Sequence, residues 1–153
     1  MTHFSIEPTQ IAQWRGLIID GQEQLGLKLS EPVENYTVLT LDAFTTHTEL
    51  ATSVIALDFL KSIRVESNRH VHLLRDVGDQ CLILSGLFPD RAKRKRVSSD
   101  YFINLGKNAY YALSFVTHSP QHNRTLFYQL FDNFFEIIRV LRAIREPVLR
   151  TLS

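Results

Sequence analysis

Apolar residues recur at intervals of three and four along almost the whole chain, and nowhere does apolar–polar alternation persist long enough to suggest a hairpin. This period predicts helices over 9–25, 31–44, 48–63, 66–88, 98–117 and 122–145. In the first, Ile11, Trp14, Ile18 and Leu25 share one side, and Thr9 stands where a cap is expected. Pro32 falls in the first turn of the second, where its missing N–H costs nothing. "GLKLSEP", "TTHTE" and "SPQHN" interrupt the pattern, and Pro147 is expected to end the last helix. The expectation is an all-α bundle of about six helices forming a single domain over 1–153, since no repeat or linker divides it.

Two predicted helices are too apolar for a simple surface position. In 122–145, apolar residues from Leu126 to Ile144 sweep about 220° at 100° per residue, whereas a peripheral helix needs a stripe only slightly wider than ~100°. Either this helix threads the centre of the bundle, or Phe127, Phe131, Phe134 and Phe135 meet a second subunit in a homodimer. In 48–63, apolar residues point almost all round, leaving the carboxylate of Asp58 nearly alone.

Composition narrows the function classes. With 153 residues, 44% hydrophobic and 22% charged, the chain can bury a core without staples, and one cysteine, Cys81, excludes an internal disulfide and a thiolate zinc cluster. A formal net charge of +1 lacks the overall cationic excess usual in nucleic-acid binders. The N-terminus shows no signal-peptide pattern, and no run approaches the ~18 apolar residues of a membrane span, so the expected place is the cytoplasm.

Candidate chemistry centres on 66–88. His70, Leu74, Val77, Cys81, Leu84 and Phe88 form a core stripe, beside which Gly78 should let another helix backbone approach. Arg75 and Asp79, spaced i,i+4, lie on the next face. Together Asp58, His70, Arg75 and Asp79 suggest either a structural network, with the Arg75–Asp79 pair at the surface, or a polar pocket that binds a small ligand or performs acid–base chemistry. The histidine spacings support no metal site, Cys81 has no activating cation, and the glycines form no phosphate loop, so no metal or cofactor is expected. On 98–117, Tyr101 reads as core-facing, with Tyr110 and Tyr111 toward the polar side.

"PDRAKRKRVSSDY" joins the fourth and fifth predicted helices and carries Arg91, Lys93, Arg94, Lys95 and Arg96. It reads as a solvated connector or a contact for an acidic protein. The alternatives are nucleic acid, although no aromatic residue is interleaved to stack on bases, and an anionic lipid or small-molecule anion. Arg139, Arg142, Arg145 and Arg150 would extend this patch if the last helix ends beside it. The segment from Arg75 to Leu113 resembles one found in uncharacterised helical proteins of proteobacteria, which implies a bacterial cytoplasmic protein and assigns no activity. The functional expectation is therefore a non-catalytic interaction or regulatory protein with an unknown protein partner, working through a helix face and the basic connector.

Overall fold

The computed structural model describes residues 3–46, 68–90, 99–116 and 119–152. Among these residues it contains seven helices and no strand: α1 (His3–Leu25), α2 (Glu31–Thr46), α3 (Asn68–Leu87), α4 (Ser99–Leu113), α5 (Gln121–Asp132), α6 (Phe134–Ala143) and α7 (Arg145–Leu152). The protein is an all-α helical bundle. The predicted helix over 48–63, with Asp58, lies outside the described residues, as do Arg91, Lys93, Arg94, Lys95 and Arg96.

Helix α6 sits at the meeting point of the bundle. It packs on both α1 and α3, while α1 pairs with α2, and α4 lies against α3 and α5. Its Phe134, Ile137, Ile138, Val140 and Leu141 are all buried, interleaved with Trp14 and Ile18 of α1 and Leu82 and Leu87 of α3 in one core. The excess apolar arc therefore has mostly an internal explanation. Of the four phenylalanines expected on one face, Phe127 and Phe134 are inside, Phe131 is half-buried, and Phe135 is 51% exposed.

Several boundaries differ from expectation for physical reasons. The last predicted helix is three consecutive segments, broken at Asn133 and Ile144, where φ widens to −104° and −105°. Pro147 does not end it: it occupies the first turn of α7, where a backbone N–H has no intrahelical acceptor to lose. Helix α1 starts at His3, so Thr9 lies within it, not at a cap. At the other end of α1, Gly26 adopts φ 65°, and the Leu27 N–H returns to the Gln22 carbonyl at 3.1 Å, a left-handed cap that only glycine adopts cheaply.

Helix α3 is the most enclosed element. Every residue from Cys81 to Leu87 is buried. Its close neighbours are side chains, contrary to the backbone contact expected at Gly78: a Cβ there would lie 2.7 Å from Tyr110 Cδ1. Across the same interface a Cβ at Gly106 would lie 2.6 Å from Phe134 Cζ and 2.7 Å from Cys81 Cβ. Missing side chains on α3 and α4 thus make room for aromatic rings. The last-turn carbonyls of α3 are met from the far end of the chain, by Arg142 Nε on Ser85 O at 3.1 Å and Arg145 Nε on Leu87 O at 2.7 Å. Both arginines serve as caps for the end of α3.

Candidate functional site

Two groups of side chains stand out, one enclosed and one exposed. The enclosed group begins with Asp79, partly buried one turn beyond Arg75 on α3. Tyr36 of α2 donates its hydroxyl to Asp79 Oδ1 at 2.7 Å, and Tyr110 of α4 donates to the same oxygen at 2.6 Å. Arg75 Nε donates to Tyr36 Oη at 3.2 Å, with its guanidinium 5.6 Å from the Tyr36 ring centroid. The expected surface pair is therefore a relay through Tyr36, and it ties three helices together.

The local sequence explains this placement. Counting from Gly106, Tyr110 is turned by only about 40°, among Phe102, Ile103, Ala109 and Leu113, whereas Tyr101 is turned by about 140°. Tyr110 is fully buried and Tyr101 only partly, the reverse of the sequence expectation. The absent side chain at Gly78 admits the Tyr110 ring, which brings its hydroxyl to Asp79, the next residue. Buried Thr37 and Thr40 on α2 satisfy themselves by donating to Val33 O and Tyr36 O, both at 2.8 Å.

Burial dominates the electrostatics. It pushes the Asp79 carboxyl up to about 6, against the pull of the two tyrosine hydrogen bonds and the Arg75 charge. Burial, then the Asp79 charge, holds both tyrosine hydroxyls well above their usual range, so they remain donors. Cys81, pushed up to about 12 by burial, is no nucleophile at neutral pH.

Asp79 also lines a cleft of about 70 Å³ with Thr40, Ala43, Phe44, Asp76, Gln80 and Ile83. Ligand sites for metabolite-sized molecules run to roughly 300–1,000 Å³, so this one admits water or a few heavy atoms. A wider, open groove of about 410 Å³ runs between Pro32 and Gln121, His122, Leu126 and Gln129 of α5, with no acidic, lysine or arginine side chain among the described lining. No group of three or more potential metal ligands occurs among the described residues.

The exposed group is aromatic. Tyr111 is 41% exposed, Phe115 59%, Tyr128 50% and Phe135 51%. They are linked: Tyr111 and Phe115 have centroids 4.8 Å apart, Tyr111 and Phe131 4.6 Å, and Tyr128 and Phe131 5.8 Å. Lys107 Nζ lies 5.1 Å from the Phe131 ring centroid and 5.3 Å from that of Phe135, which completes the patch.

Of the residues singled out from sequence, the structure brings Arg75 and Asp79 together; the side chain of His70 lies outside the described residues. Tyr36, Phe115 and Tyr128 carry no sequence expectation as site residues; Tyr111 lies on the exposed side as expected, and Tyr110 faces inward instead. The spacing 103, 106, 110, 113 carried the signal for Tyr110. Nothing in the sequence joins Tyr111 to Phe131. No family model, curated protein or solved structure matches the chain. No helix among the described residues is long and apolar enough to cross a membrane.

Proposed function

We propose that the protein is a non-catalytic interaction protein whose working surface is the aromatic face of α4, α5 and α6. The observation that carries this reading is the run of half-exposed rings Tyr111, Phe115 and Tyr128 connected through half-buried Phe131, with exposed Phe135 joined to it by Lys107. Four rings about half exposed leave on the order of 400 Å² of aromatic surface, the size of the largest apolar patch on a typical monomer, which is often functional. The polar cluster supports the same reading: Asp79 is engaged by two hydroxyls, and the cleft beside it is too small for a metabolite. The resemblance of Arg75–Leu113 to helical proteins of proteobacteria supports a bacterial setting in the cytoplasm. The basic connector at 91–96 would supply a second, salt-sensitive contact.

The test is the size of the native assembly. In fresh lysate of the source cells the wild type should elute from gel filtration above the mass of a single chain. The triple variant Phe115→Ser, Tyr128→Ser, Phe135→Ser should elute as a single chain, and the interior Asp79→Asn variant should elute with the wild type. A wild type that elutes as a lone chain, or a triple variant that stays in the assembly, defeats the proposal.

A further inference from the structure

Between Asn123 and Ala143 the exposed positions are Thr125, Tyr128, Asp132, Phe135, Arg139 and Arg142, spaced alternately three and four apart. One narrow stripe therefore runs unbroken across the α5–α6 junction. Its order is aromatic, anion, aromatic, cation: Tyr128, Asp132, Phe135, Arg139. Among the described residues neither Asp132 nor Arg139 is held by a hydrogen bond or ion pair. Two opposite charges thus stand unused one turn to either side of a half-exposed phenylalanine.

That arrangement is complementary to itself when reversed. From it we infer that a second copy of this chain docks antiparallel on this stripe, about a two-fold axis beside Phe135. The axis sets Phe135 against Phe135 of the second copy. It also brings Asp132 against Arg139 of the second copy, and the reverse pair forms by symmetry. The positions fit: 132 and 139 lie three and four residues from the axis, within the reach of an arginine side chain. Lys107, lying over Phe131 and Phe135, flanks the pair of rings.

Size and charge favour a copy over other occupants. A standard interface buries about 800 Å² per partner, of which about 57% is apolar, or roughly 450 Å². Tyr128 and Phe135 on the stripe supply about half of that, and Tyr111 and Phe115, joined to it through Phe131, bring the aromatic area to on the order of 400 Å². A phosphate backbone would meet Asp132 at the middle of the stripe, and a formal net charge of +1 leaves little repulsion between two copies. This inference deepens the interaction reading and rests on it.

The experiment is sedimentation equilibrium of the purified chain at increasing protein concentration, with a charge exchange. The wild type should reach the mass of two chains at high micromolar concentration. Asp132→Arg alone and Arg139→Asp alone should each weaken association by about tenfold or more, since like charges then face each other. The double exchange Asp132→Arg with Arg139→Asp should restore it, and circular dichroism should show every variant helical. A monomeric wild type overturns the inference. So do single variants that associate as well as the wild type, or a folded double exchange that stays monomeric. If the purified chain is monomeric while the wild type in lysate elutes in an assembly that the triple ring variant does not join, the copy is ruled out and the interaction reading survives.

Discussion

Tyr110 and Tyr111 are adjacent in the chain and have opposite roles. Tyr110 has no exposed surface: its ring covers Gly78, and its hydroxyl ends on Asp79. Tyr111, turned by about 100°, is 41% exposed and forms the hinge of a ring ladder joining Phe115 to Phe131. The same side chain is a buried strut in one case and part of a contact face in the other. What separates them is the phase of the helix and the presence of a glycine opposite. Burial binds three helices through one carboxylate oxygen, whereas exposure leaves aromatic area that the fold does not consume.

The largest effect should come from removing the buried ring. Tyr110→Ala is expected to cost about 3–5 kcal/mol in urea unfolding, because it empties a packed site and leaves Tyr36 alone on Asp79. A loss below about 1 kcal/mol would mean the Gly78 fit is not structural.

Next comes pH. The folded-state value of Asp79 is raised from 3.8 to about 6, so its contribution to stability is full below pH 3.8 and is lost as pH rises through about 6. Each pH unit in that window counts about 1.4 kcal/mol, giving a loss on the order of 3 kcal/mol by neutral pH. Asp79→Asn keeps an acceptor for both hydroxyls and has no such titration. The difference in urea midpoint between wild type and variant should therefore shift toward the variant from pH 4 to pH 7. Parallel pH profiles would show that burial does not govern this carboxyl.

The smallest effect belongs to the exposed neighbour. Tyr111→Ala should change stability by less than about 1 kcal/mol by the same urea measurement, since its ring contacts are at the surface. A cost as large as that of Tyr110→Ala would erase the contrast.

How far the fold could be read from sequence follows from how local each signal is. The all-α architecture was legible because the period of three to four persists through every described element. The central position of α6 was legible as one of two explanations for its apolar arc, and packing on α1 and α3 accounts for most of that arc. Tyr110 and Tyr111 look like one unit in the sequence, yet a single residue step turns a helix by about 100°, and only the second of them faces outward. In Pro147 a terminator and a first-turn proline look alike in sequence, because the helix restarts after one residue, Ile144. Arg75 and Asp79 were found through their i,i+4 spacing. Their partner Tyr36 lies 43 positions from Asp79, and only the packing of α2 on α3 brings them together. Long-range pairings such as Tyr111–Phe131 have no periodic trace at all.

The two arginines that finish α3 bear on the order in which the molecule matures. Ser85 and Leu87 receive their donors from residues 57 and 58 places further along the chain. While the polypeptide is being made, those carbonyls must stay with water, and the end of α3 waits on α6 and α7. Closing so wide a loop costs entropy that neighbouring contacts do not recover until the final segments arrive. A chain cut short before Arg142 would therefore have an unfinished centre, with the last carbonyls of α3 left to water.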